Sequence, residues 1–166
     1  VYELYLKARY EDWQFNELSF SKGEKLLKQG LEIAGDNVLL YSELSHITIQ
    51  YVNNLMKDPD TYPELLAKAN KYADKAIQLK PNSAIAYYAK GLPLYQSCNP
   101  KEAFKNWRKA VTIEPNHSEP MLFLMLGFMY SATGLDQLEA ERLLEKCKKM
   151  DPLTQIATTC QGWRLL

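Results

Sequence analysis

The stretch AIAYYAKGLPLYQSCNPKEAFKNWRKAVTIEPNH, residues 84–117, decides how this chain folds. In its second half Ala103, Trp107, Ala110 and Pro115 follow one another at steps of +4, +3 and +5. The first three lie on one face of a helix, and the proline stops that helix. Small side chains on that face allow a second helix to approach closely. The same ladder recurs as Gly23–Leu27–Gly30–Gly35, as Ala69–Ala73–Ala76–Pro81 and as Ala140–Leu144–Cys147–Pro152. A single occurrence carries little weight, but four in one chain mean a repeat protein.

Working outward, Tyr87, Gly91 and Leu94 mark the first helix of this unit. With them the unit resembles the tetratricopeptide repeat family, whose repeat is a helix–turn–helix of about 34 residues. Gly91, Ala103, Ala110 and Pro115 stand in register with the family pattern, and Tyr87 and Trp107 are aromatic equivalents. A fourth unit carries Phe123, Leu126, Gly127 and Tyr130, with one extra residue expected in the turn around Gly134. The second keeps Tyr41 and Leu44 but has Ser45 where glycine is usual. About a dozen residues more than the family period separate its helices, around positions 56–63. The first unit is the loosest, with Ala8 in place of the glycine and Lys7 and Glu11 at normally apolar positions.

The resemblance implies an all-α superhelix, a solenoid of about four such repeats plus a C-terminal helix, in one domain spanning 1–166. The repeats are placed at 1–37, 38–83, 84–117 and 118–153, with the terminal helix at 154–166. Helices are expected at 2–16, 21–34, 38–57, 63–80, 83–97, 100–113, 119–132 and 135–150. Ser21 and Glu24 are spaced as a capping box, and Pro63 suits a first helical turn. Pro93 falls inside the fifth helix, where proline costs about 3 kcal/mol, and a kink is expected there.

The chain has 166 residues, 46% of them hydrophobic and 24% charged, an ordinary balance for a folded domain. Twenty basic and twenty acidic side chains cancel. That disfavours a broad footprint for nucleic acid or an anionic membrane. The most apolar run, residues 121–129, is too short to span a bilayer and reads as a buried helix. No signal peptide is recognisable. Cys98, Cys147 and Cys160 are an odd, widely spaced set, so a reduced, cytoplasmic compartment is expected. The chain starts without methionine and finishes with Trp163, Leu165 and Leu166 where a polar cap is usual. A piece of a longer protein is the expectation, with end-to-end self-association of the isolated fragment as a consequence.

In the family, first helices line a concave surface that takes a peptide or helix from a partner protein. By family position the row here holds Tyr5 and Arg9, then Ser42 and His46, then Tyr88, Leu92 and Tyr95, then Leu124 and Phe128. This is an apolar and aromatic set with a few polar handles, although each aromatic could equally serve core packing. Positions that grip a terminal carboxylate in some relatives hold Tyr5, Arg9, Glu43, Ile85 and Ala89. Only Arg9 could do so, which makes a carboxylate clamp an unsuitable reading.

Nothing in the sequence suggests catalysis. His46 and His117 are far apart in sequence and lack the i,i+4 or cysteine-paired spacing of a metal site. Cys98 has no neighbouring base, and no phosphate loop, nucleophile elbow or kinase motif occurs. Glu139, Glu141 and Glu145 alternate with Arg142, Lys146, Lys148 and Lys149 as a solvated face, and Lys68, Lys71 and Lys75 form another. No catalytic residue, metal or cofactor is therefore expected. The function implied is a non-catalytic protein–protein interaction module. An alternative is the regulatory or sensory repeat region of a bacterial serine/threonine kinase, cyclase or transcriptional regulator, suggested by a short likeness at residues 2–10. The repeat region of a glycosyltransferase is a weaker third, and neutral charge disfavours an RNA binder.

Overall fold

The computed structural model describes residues 1–14, 16–55, 59–117, 119–121, 124 and 134–150. Within them the chain is all-α: α1 (Tyr2–Asp12), α2 (Glu17–Ala34), α3 (Val38–Leu55), a 3-10 turn (Pro59–Thr61), α4 (Tyr62–Leu79), α5 (Ala84–Gln96), α6 (Pro100–Ile113) and α7 (Gly134–Met150). Residues 119–121 and 124 are also helical. The expected terminal helix and the turn before Gly134 lie outside the described residues. The helices pack as neighbours in pairs, α1 on α2, α3 on α4 and α5 on α6, with α3 also against α5.

Two boundaries differ from expectation at the first turn. Helix α1 ends at Asp12 rather than near residue 16, and α2 starts at Glu17 rather than at Ser21. The cause is Asn16, whose extended backbone and side-chain oxygen cap α2 by accepting from the Ser19 amide at 3.0 Å. The proposed Ser21 box is therefore inside the helix. Next, Gly35 closes α2 with φ of 72°, and Asn37 Oδ1 opens α3 by accepting from the amides of Leu39 and Leu40. Lys68 and Lys75 lie 2.6 Å from Glu24 and Asp36 of the preceding repeat, so that stripe pairs across units instead of only facing solvent.

The repeated ladder is where the helices meet. Leu27, Ala69, Ala73, Ala76, Ala103, Trp107, Ala110, Ala140 and Leu144 are all buried. Among the described residues Trp107 is the largest fully enclosed side chain, and its indole Nε1 donates to the Tyr88 carbonyl at 3.1 Å. A Cβ on Gly91 would overlap the Trp107 ring. The glycine on the first helix and the tryptophan on the second are thus one packing unit.

Helix α5 runs through Pro93 to Gln96. Pro93 has no N–H to give the carbonyl of Ala89 one turn earlier. The Ser45 hydroxyl on α3 donates to that carbonyl, at 3.4 Å, from a buried position. Serine at the customary glycine position of the second repeat thus compensates for proline in the third. Ser45→Ala is expected to cost about 1 kcal/mol. In a Pro93→Ala background the cost should fall toward zero, because the new amide serves Ala89 instead. Urea denaturation of the four proteins measures this coupling, and equal costs in both backgrounds would refute the exchange.

Helix α5 ends in a Schellman arrangement. The Asn99 amide donates to Leu94 O at 3.0 Å, and the Cys98 amide to Tyr95 O at 3.1 Å. Cys98 carries the positive φ, 58°, that this cap requires. A non-glycine residue there is strained, so Cys98→Gly should stabilise the chain by about 1 kcal/mol, read as a higher denaturation midpoint. Asn99 then caps α6 and Pro100 fills its first turn.

Candidate functional site

Three first helices and the helical residues 119–121 bring an unusual group of polar side chains together. Arg9 of α1 donates from Nη2 to Glu119 Oε1 at 2.7 Å and from Nη1 to the Tyr5 hydroxyl at 3.1 Å. Its Nε lies 4.0 Å from Glu43 Oε1 on α3. His46, one turn along α3, places Nδ1 at 3.5 Å from Glu43 Oε1 and 3.7 Å from Asp12 Oδ2 on α1. Gln50 places its amide nitrogen 3.3 Å from His46 Nε2. From α5, the Tyr88 ring sits between the two histidines, with centroids 5.8 Å from His46 and 6.0 Å from His117. His117 Nε2 in turn lies 3.2 Å from Glu119 Oε2.

Burial makes this group electrostatically tense. Asp12 is 6% exposed and Glu43 3%. Burial pushes the Asp12 carboxyl up to about 6, although His46 pulls against it. For His46, burial opposes protonation, but the hydrogen bond to Glu43 and the charges of Glu43 and Asp12 raise it above the ordinary imidazole value. Burial also works against ionised Glu119, yet His117, Arg9 and His46 outweigh it and hold that carboxyl at about 2. Burial and the facing carboxylates Glu119 and Glu43 push the Tyr88 phenol well up. The buried side-chain atoms without a hydrogen-bond partner among the described residues are Asp12 Oδ1, Ser42 Oγ and His117 Nδ1. Asp12 and His117 belong to this cluster, and Ser42 adjoins Glu43 in sequence.

A pH dependence follows from these signs. Asp12 and His46 both bind protons more tightly in the folded chain than unfolded. Their contribution is full at acid pH; it fades as pH rises through about 6 for Asp12, and above 6.5 for His46. Glu119 acts oppositely, contributing above 4.5 and losing its effect as pH falls through about 2. Stability in metal-free buffer should therefore peak near pH 4, where Asp12 begins to lose its contribution and Glu119 has gained most of its own, and decline toward pH 8. Asp12→Asn should flatten the decline, and a slope unchanged by that substitution contradicts the assignment.

The row implied by family position is only partly a surface. Tyr5, Arg9, His46 and Tyr88 converge in the cluster. Ser42, Leu92 and Leu124 are buried, as are Tyr5 and Tyr88, and His46 is nearly so. Tyr95 is 41% exposed. It borders a small cavity of about 30 Å³ shared with His46, Gln50, Asn53, Leu92 and Trp107. Phe128 lies outside the described residues. Sequence reading missed Asp12, Glu43, His117 and Glu119 as members of one group. One signal was available: Glu43 and His46 stand at i and i+3 on a helix, a spacing that directs both side chains to one face.

No helix among the described residues is long and apolar enough to cross a membrane. No protein-family model matches the chain. A TPR repeat-containing protein of Methanocaldococcus jannaschii is 31% identical over 91 residues, a stretch covering 52% of this chain and 25% of that protein. The match thus spans about a quarter of the relative's length. Among solved structures, a thermophilic TPR protein of Thermus thermophilus superposes with a TM-score of 0.77 at 17% identity, covering 98% of this chain and 79% of that one. YrrB, a TPR protein with an unusual peptide-binding site, superposes with a TM-score of 0.50 at 14% identity, covering 87% and 84%. Helix pairing, the buried ladder and these likenesses agree: the chain has the tetratricopeptide-repeat fold.

Proposed function

We propose that this chain is a non-catalytic interaction module that holds a peptide or helical segment of another protein along its first helices. The observation that carries the reading is the convergence of Arg9, His46, Tyr88 and Glu119 from successive repeats on one locus. A stacked repeat sets side chains of several helices next to one another without any loop having to order. The peptide-binding site of YrrB, on the same architecture, supports it by analogy.

Among the described residues, burial of Tyr5, Tyr88 and Leu92 leaves Tyr95 as the aromatic of this row with open area for a docked side chain. Tyrosine at an interface buries much surface at low entropic cost. The occupant best suited is an amphipathic segment that covers Tyr95 and offers a polar or cationic group toward the carboxylates. The test is a peptide-display selection followed by titration of the selected peptide. Tyr95→Ala should weaken it about ten-fold. Ile33→Ala on α2, at a side chain 72% exposed, should leave it unchanged. A peptide that responds to Ile33 and ignores Tyr95 places binding on another face and overturns the proposal.

A further inference from the structure

We propose that Asp12, Glu43 and His46 form a site for one divalent transition-metal ion of zinc's class where α1 meets α3. One donor atom from each residue lies within 4.8 Å of the others. His46 Nδ1 stands 3.5 Å from the Glu43 oxygen and 3.7 Å from the Asp12 oxygen. Donors held about 2.0–2.2 Å from a tetrahedral ion are roughly 3.3–3.5 Å apart, so modest side-chain rotation closes the set. Glu43 and His46 are one helical turn apart. Glu-x-x-His is a spacing by which helical proteins present a carboxylate and an imidazole to one ion.

An independent observation points to a ligand here. Asp12 Oδ1, the other oxygen of the carboxylate whose Oδ2 faces His46, is buried without a hydrogen-bond partner, on a residue 6% exposed. A buried carboxylate oxygen without a donor is costly, and a cation satisfies it. The charge balance names the kind of cation. Arg9 is held 2.7 Å from Glu119, which answers its charge, and only its Nε, at 4.0 Å, faces Glu43. A dication bound at His46 Nδ1 would displace the imidazole proton and neutralise the Asp12 and Glu43 carboxylates beside it. One nitrogen with two carboxylates suits zinc, cobalt or iron better than magnesium or calcium, which prefer all-oxygen sets.

The surroundings fit that role. The Gln50 side-chain amide sits 3.3 Å from His46 Nε2. With its oxygen turned to the ring it accepts Nε2–H and leaves the Nδ1 lone pair directed at the carboxylates. Three protein donors leave a coordination position open to water or to a carboxylate or imidazole from outside. The ion would bind whether or not a peptide docks along Tyr95, so the two ideas fail separately.

Cobalt(II) is the probe, because a four- or five-coordinate ion absorbs visibly far more strongly than the hydrated one. The metal-stripped chain should take up one equivalent, and zinc should displace it. His46→Gln and Asp12→Asn should each weaken uptake at least about 100-fold, more than loss of an outer hydrogen-bond partner costs. His117→Gln should leave uptake unchanged. If His46→Gln loses helical signal, the isosteric Asp12→Asn carries the comparison. Three results would overturn the proposal: no uptake by the unmodified chain, uptake indifferent to the folded variants, or uptake abolished by His117→Gln instead.

Discussion

Gly91→Ala is expected to destabilise this chain by about 2 kcal/mol or more, although alanine is the better helix former. Helix propensity alone favours alanine by about 1 kcal/mol inside a helix. Packing opposes it with greater force. The added methyl would overlap Nε1, Cε2 and Cδ1 of Trp107, which is fully buried. The ring cannot retreat without losing its 3.1 Å bond to the Tyr88 carbonyl. Overpacking a rigid core of this kind typically costs about 1–3 kcal/mol, occasionally more. The equilibrium midpoint in urea reads the net effect. A second variant isolates its cause: Leu27 and Leu144 occupy the tryptophan's rung in other repeats. In a Trp107→Leu background Gly91→Ala should therefore be neutral or favourable. A single Gly91→Ala protein more stable than the parent would show that the two helices are not in contact here. The contrast with Gly23 is instructive. There a Cβ presses mainly on the Cδ1 tip of Ile47, the flexible end of a side chain, with the Ala8 carbonyl oxygen farther off at 3.3 Å, so a smaller penalty is expected.

Arg9→Met should be the second most damaging change, by about 2–3 kcal/mol at neutral pH. Arg9 joins α1 to Glu119, a residue 110 positions away in sequence, and also bears on Glu43. Removing one partner of a fully buried pair costs about 3–5 kcal/mol, because the other charge stays behind unpaired. The exposure of these side chains, 28% for Arg9 and 23% for Glu119, reduces that figure through solvent screening. The sign of the pH effect separates charge from packing. Glu119 contributes above 4.5 and loses its contribution as pH falls through about 2, so the gap between parent and variant should close in acid. A gap constant from pH 7 to pH 2 would mean that the arginine's carbon stem, not its charge, was lost.

The architecture was legible in the sequence because it rests on side-chain size at fixed spacing. Ala103, Trp107 and Ala110 could be placed on one buried face without knowing what covered them. Pro100 and Pro115 bracket a helix observed at Pro100–Ile113, as expected. Where the reading slipped, a local hydrogen bond decided the outcome. Asn16 captured the cap that Ser21 was expected to provide. Ser45, read as a departure from glycine, serves a carbonyl that proline in the next repeat leaves free. The polar cluster was less accessible for a different reason. Asp12, Glu43, His46, His117 and Glu119 are spread over four repeats, and their nearness depends on how tightly first helices converge. Spacing along one chain segment carries that information only for Glu43 and His46. The same convergence explains the burial of Tyr88 and Leu92, which family position alone would leave on an open groove.

The central claim is that successive repeats stack so that their first helices meet at one locus. The chain has two histidines, so their ring signals are easily assigned. Nuclear Overhauser contacts from the Tyr88 ring test the claim most directly. Contacts to both His46 and His117 are the predicted result, from ring centroids 5.8 and 6.0 Å away. A folded, helical protein whose Tyr88 ring reaches neither imidazole would contradict it.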